Sequence, residues 1–189
     1  MKVVTLYNEE FYLACDRLHS SVLHSYSPDT VVAIANGGCH VADALFAAAT
    51  HVRAVCRRPS SDGKSSRHYL FKIVRRLPKF MRNAMRIVEA FLLSHHHPSD
   101  RTLEISETDR AKIAQGRRIL IVDDAVDSGA TLQKVYEEVQ RLAPKARIRT
   151  AAIALTTAHP IRVPDYYLYR NVLVRFPWSL DYCPSRRKG

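Results

Sequence analysis

The stretch that decides the reading runs from residue 119 to 131, ILIVDDAVDSGAT. Ile119, Leu120, Ile121 and Val122 are a short apolar run of the kind that fills a central, buried strand. Two adjacent carboxylates, Asp123 and Asp124, stand at its carboxyl end, and Asp127 follows in a turn. Ser128, Gly129, Ala130 and Thr131 then lead into a helix. Small residues let backbone N–H groups approach an anion, hydroxyls add donors, and the helix dipole favours negative charge. The run therefore reads as a phosphate cradle. Carboxylates beside a phosphate would repel it on their own. They make sense if they hold sugar hydroxyls or a Mg²⁺ ion. The competing reading is a strand–turn–helix with solvated acids, but three acids in five residues rarely serve packing.

The chain around this run alternates between strand and helix. A helix is expected over 8–26, with Asn8 as its N-cap and Phe11, Ala14, Cys15, Leu18 and Val22 at helical spacing. A buried strand over 30–35 (TVVAIA) ends at Asn36-Gly37-Gly38. An alanine-rich helix over 41–50 and a strand over 51–56 follow. Further strands are expected over 103–105, 117–123, 148–155, 165–169 and 172–176, with a helix over 131–142. Such alternation implies a mostly parallel twisted α/β sheet with helices on both faces. Ligands of these sheets bind beyond the carboxyl ends of the strands.

With 189 residues, the chain is expected to be a single domain, 1–189. Hydrophobic residues make up 47% and charged residues 25%, which excludes disordered and collagen-like classes. No apolar run is long enough to span a membrane, and acids come too early for a signal peptide. Cys15, Cys39, Cys56 and Cys183 show no paired spacing, so reduced thiols and a cytoplasmic location are expected. The net charge of +11 is concentrated: residues 53–118 hold 16 basic and 6 acidic side chains, a surplus of +10. That surplus points to anionic partners.

The 119–131 run resembles the phosphoribosyl pyrophosphate (PRPP) signature of type I phosphoribosyltransferases: four apolar residues, two acids, two apolar residues, an acid, then a Ser/Thr-Gly-small-Thr turn. The resemblance implies that Asp123 and Asp124 hold the ribose hydroxyls, directly or through Mg²⁺. It makes Asp127 the general base beneath the acceptor base. It wraps Asp127, Ser128, Gly129, Ala130 and Thr131 around the 5′-phosphate. The same family ends its first sheet strand in a loop that contacts pyrophosphate, matched here by Asn36, Gly37 and Gly38. Asn36 is neutral where many relatives are basic, so Arg57 and Arg58 are expected to help. A C-terminal hood over 156–189 would cover the base. Its Pro164-Asp165-Tyr166-Tyr167 and Phe176-Pro177-Trp178 segments resemble those of xanthine–guanine-type purine enzymes. Trp178, Phe176 and Tyr166 are then the expected base contacts, with Trp178 stacking on a purine. The lysine that usually reads a 6-oxo group is missing from 156–162; either His159 or Arg162 substitutes, or the base is not a 6-oxopurine.

Residues 57–102 lie outside the resemblance and read as a helical, basic insertion where the family carries its lid. Three roles stay open for it: an interface or lid in a homodimer, a nucleic-acid surface, or a membrane-surface helix, ranked in that order. Two functions follow. One is Mg²⁺-dependent transfer of phosphoribose from PRPP to a nitrogenous base of purine type. The other is a non-catalytic sensor of PRPP or a nucleotide that binds RNA or a partner protein through its insertion.

Overall fold

The computed structural model describes residues 2–46, 49–57 and 102–179. Most of the 57–102 insertion, including Arg58, and the basic C-terminus lie outside the described residues. Eight strands and four helices are described. The strands are β1 (Lys2–Thr5), β2 (Thr30–Ala35), β3 (Thr50–Arg57), β4 (Thr102–Glu104), β5 (Arg118–Val126), β6 (Arg147–Leu155), β7 (Tyr166–Arg170) and β8 (Val172–Arg175). The helices are α1 (Asn8–Leu23), α2 (Gly37–Leu45), α3 (Glu107–Gln115) and α4 (Ala130–Leu142).

Six strands form one sheet in the order β4-β3-β2-β5-β6-β7, parallel except for the β3–β4 pair. Through the paired centre of the sheet the strand faces alternate, as the pleat requires. Val31, Ala33, Leu120, Val122, Ala151 and Ile153 face α1 and α2. Val32, Ile34, Ile119, Ile121 and Ala152 face the opposite way, toward Ile113 of α3 and Leu132, Val135 and Val139 of α4. Both faces of the central strands are thus buried, which is why they read as unbroken apolar runs. The expected doubly covered, mostly parallel sheet is the fold observed.

Several boundaries differ from the sequence reading. Tyr7, not Asn8, is the N-cap of α1, and the helix stops at Leu23. Helix α2 begins four residues before the expected start, at Gly37, and ends at Leu45. The glycines belong to the helix because its first turn runs against β5. Strand β5 continues to Val126, through the acid pair rather than stopping at it. Helix α3 and strand β1 carry no apolar periodicity and were not expected. Helix α3 buries only Ile113 and is started by its cap, with Ser106 Oγ accepting from the Asp109 backbone N–H at 3.1 Å. Strand β1 pairs in parallel with β8, joining the two ends of the described chain in a two-stranded sheet. Arg57 and Thr102 are register partners across β3 and β4, so the insertion starts and ends at neighbouring points of the sheet edge.

The amino edge of the sheet is closed by the α1–β2 loop. Asp29 accepts from the backbone N–H groups of Arg117 and Arg118. The buried Tyr26 hydroxyl reaches the carbonyls of Ile119 at 3.1 Å and Arg147 at 2.5 Å. Burial pushes its pKa up to about 12, so it stays a donor throughout the physiological range. Tyr26→Phe removes that donor while keeping the ring. It is expected to lower stability by about 1–2 kcal/mol, read from urea unfolding curves.

Candidate active site

Strand β2 pairs with β5 only from Thr30↔Ile119 to Ala33↔Val122. Beyond Val122 the two strands part, because β2 turns into α2 at Asn36 while β5 runs on beside β6 as far as Val126↔Leu155. The chain leaves β2 toward β3 on one side and leaves β5 toward β6 on the other. This is the switch point at which parallel sheets open a crevice. Asp123 and Asp124 are the first two residues of β5 past the parting.

The acid pair is crowded. Asp123 Oδ1 accepts from the Asp124 N–H at 2.9 Å, and Asp124 Oδ1 accepts from the Ala125 N–H at 2.8 Å. Asp124 Oδ2 accepts from Trp178 Nε1–H at 2.8 Å. Burial, and then the charge of Asp124, holds the Asp123 carboxyl well above the usual carboxylate range. Burial also raises Asp124, opposed by its bonds from Trp178 and Ala125. Gly37 leaves the space for this arrangement: a Cβ there would stand 1.9 Å from Asp124 Oδ2.

Two helix N-termini flank the pair. On the β5 side, Asp127, Ser128 and Gly129 form the turn into α4. Gly129 is its N-cap at φ 77, a left-handed conformation that disfavours other residues. Ser128 Oγ faces the Ala130 N–H at 3.4 Å, and Thr131 lies in the first turn of the helix. Thr156 Oγ1 donates to Asp127 Oδ1 at 2.6 Å, and Ile161 N–H donates to the Ser128 carbonyl at 2.7 Å, so the post-β6 loop braces this turn. On the β2 side, Asn36 caps α2 ahead of Gly37 and Gly38. Arg53 of β3 donates to Asn36 Oδ1 at 3.0 Å.

The structure therefore brings Asn36, Gly37, Gly38, Asp123, Asp124, Asp127, Ser128, Gly129, Ala130 and Thr131 to one crevice. Arg53 was missed. Its signal was faint: an arginine alternating out of β3, three residues below the level of Asn36. Arg57 ends β3, and nothing is described of its side chain or of Arg58.

The rings expected to contact the base have the following neighbours in the fold. Phe176 is buried in the α1–α2 core and offers no face to a base. Trp178 stacks on Phe176 (4.9 Å, 5°) and on His40 (4.5 Å, 28°), with an edge contact to Phe11 at 5.1 Å. Tyr166 opens β7, and its hydroxyl is 2.8 Å from Ser25 Oγ in the amino-edge loop, away from the crevice. Arg162 does not replace the missing lysine: its Nε donates to Gln133 Oε1 at 2.6 Å and its guanidinium lies 3.5 Å over the Tyr136 ring, both on α4.

Residues 4–182 match the phosphoribosyl transferase domain family. The chain belongs to that family. Among solved structures it is similar to the purine phosphoribosyltransferase from Pyrococcus horikoshii Ot3, with a TM-score of 0.62 and 22% identity over 100% of both chains. It is also similar to the xanthine-guanine-hypoxanthine phosphoribosyltransferase of Helicobacter pylori (TM-score 0.58, 17% identity, 94% of each chain). A third is a hypothetical protein from Neisseria gonorrhoeae with bound ppGpp (0.54, 13%, 94% of this chain and 90% of that one). These likenesses show the phosphoribosyltransferase fold. The comparison with curated proteins returned no match. No helix among the described residues is long and apolar enough to cross a membrane.

A metal fits the donor chemistry. Among the described residues no three His, Cys, Asp or Glu side chains converge as a self-sufficient metal cage. Mg²⁺ needs none, since it is commonly held by one or two carboxylates plus substrate oxygens. Asp123 and Asp124 are hard oxygen donors, and burial is the main cause that raises both carboxyls.

A raised carboxyl pKa means that folding favours the protonated form. The stability it contributes is complete below the ordinary carboxylate pKa of 3.8 and is lost as pH rises through the folded-state value. Asp123→Asn is therefore expected to raise the melting temperature of the ligand-free protein at pH 8. The gain should shrink to nothing toward pH 4, as thermal scans across that range would record.

Proposed function

We propose that this chain transfers the 5-phosphoribosyl group of PRPP to a nitrogenous base of purine type and releases pyrophosphate. The observation that carries the reading is the parted β2–β5 crevice, with an acid pair at its centre and a helix N-terminus on either side. PRPP has the complementary pattern: a phosphate at one end, a pyrophosphate at the other, and vicinal hydroxyls between. The purine choice is supported by the Pyrococcus and Helicobacter relatives.

In this reading the Ser128–Thr131 turn and the α4 N-terminus hold the 5′-phosphate through backbone N–H groups. Asp123 and Asp124 hold the ribose hydroxyls and are the residues that would hold Mg²⁺. Bound there, Mg²⁺ would act as a Lewis acid toward the leaving group. The Asn36–Gly38 turn donates to pyrophosphate with backbone groups already in position. Arg53, held by Asn36, brings the positive charge that the turn itself lacks. The bond from C1 of the ribose to the pyrophosphate oxygen breaks, and its electron pair leaves with pyrophosphate. A ring nitrogen of the base supplies the pair for the new C1–N bond. Asp127, oriented by Thr156, accepts the proton that this nitrogen sheds. The insertion starts at the carboxyl end of β3, where a lid over the crevice would be hinged.

Pyrophosphate release from Mg²⁺ and PRPP, with purine and pyrimidine bases offered singly, tests the reaction. Release that depends on one purine is the expected result. Silence with every base while PRPP still binds would leave a PRPP-sensing regulator instead. Asp127→Asn should lower kcat by about 10²–10⁴-fold with PRPP affinity nearly unchanged, as separate kinetic and calorimetric titrations would show. Arg53→Ala should weaken PRPP about tenfold, yet leave the affinity for the nucleoside monophosphate product, which lacks pyrophosphate, unchanged.

A further inference from the structure

Trp178 is the only tryptophan, and two rings already stack on its indole. Its indole N–H points at Asp124 Oδ2 at 2.8 Å, across 54 residues of sequence. An indole nitrogen donates and never accepts, so its partner must be an acceptor. The other oxygen of Asp124 is held by the Ala125 N–H at 2.8 Å. The third side of the carboxylate is closed by Gly37, where even a methyl group would collide with Oδ2. Asp124 thus accepts from the Ala125 N–H on one oxygen and from Trp178 on the other, with backbone against its flank and a further side-chain hydrogen bond to Asp123.

The indole itself is held firmly. Phe176 and His40 stack on it and Phe11 meets it edge-on. Phe176 is buried and follows β8, Phe11 lies on α1, and His40 lies on α2. The ring cluster therefore ties three separate segments to one oxygen of the acid pair. A cavity of about 520 Å³ lies beside the cluster, lined by Asn8, Tyr12, Asp43 and Pro177 among others, on the side of α1 and α2.

We propose that Trp178 is a positioning residue: its N–H fixes the Asp124 carboxylate in the orientation that binds the ribose hydroxyls and the shared cation of PRPP. The role rests on the transferase reading above and deepens it. It acts on PRPP, not on the base. Losing a hydrogen bond to a charged group corresponds to about a tenfold change in binding.

The test uses the full chain and Trp178→Phe, which keeps a ring and removes the donor. Mg²⁺–PRPP affinity, measured by calorimetry, should fall about tenfold, and KM for PRPP should rise with it. KM for the base should not change. Without any ligand, Asp124→Ala should shift the emission of Trp178 in the otherwise wild-type protein. Unfolding of the wild type, Trp178→Phe, Asp124→Ala and the double variant should show coupling between the two sites. An unshifted emission together with zero coupling would overturn the bond. A raised KM for the base with PRPP affinity intact would overturn positioning in favour of stacking. Failure of the wild-type protein to bind PRPP would sink the transferase reading and this role with it. The ligand-free emission and coupling measurements distinguish that failure from failure of the bond itself.

Discussion

Past Val122, strand β5 has a hydrogen-bonding neighbour on one side only. The rest of the site follows from that parting. A strand paired on both sides could not carry two adjacent carboxylates, since each would be driven into a packed face without water or a cation. The opening exists because β2 stops pairing and enters α2, so the first turn of that helix takes the place of the next ladder rung. The same parting aims the N-termini of α2 and α4 at a common space from two sides. Geometry that favours anions at both ends and places acids in the middle selects a ligand whose charges are arranged in the opposite sense.

The electrostatics show what the ligand-free protein bears. Asp123 is pushed toward the neutral form by burial and by the charge of Asp124, and Asp124 by burial, with its bonds from Trp178, Ala125 and Asp123 opposing this. Such a pair detracts from stability until a cation or hydroxyl donors arrive, an arrangement typical of sites whose groups serve binding rather than folding. The thiols behave differently. Burial pushes Cys15 up to about 12, which keeps it protonated and unreactive. On the β2 side, positive charge is delivered indirectly. Asn36 carries none, and Arg53 reaches it from the neighbouring strand.

Strand β8 and the segment after it reach the acid pair from far away in sequence. Strand β1 clamps β8 by parallel pairing, α1 supplies Phe11, and Trp178 ends on Asp124. Both ends of the described chain are thereby coupled to one carboxylate. The precision of the site depends on packing that lies largely outside the 119–131 run.

Local chemistry made much of this legible. A run of four apolar residues, a glycine at a left-handed N-cap and hydroxyls beside it carry their meaning within 13 residues. The strand–helix alternation likewise follows from periodicity that each segment holds by itself. The remainder needed partners distant in sequence. Helix α3 has a cap but almost no apolar stripe, and β1 is a four-residue strand whose partner lies about 170 residues away. The packing of Trp178 on Phe176 and His40 was not legible because an aromatic ring serves stacking or packing alike until its neighbours are known. Arg53 was an ordinary strand arginine until β2 and β3 set it below Asn36. The sequence alone determined the doubly covered sheet and the strand–turn–helix of the 119–131 run. The tertiary structure decided which rings pack, which arginine reaches the turn and where the sheet opens, because those depend on register and on contacts that no local pattern encodes.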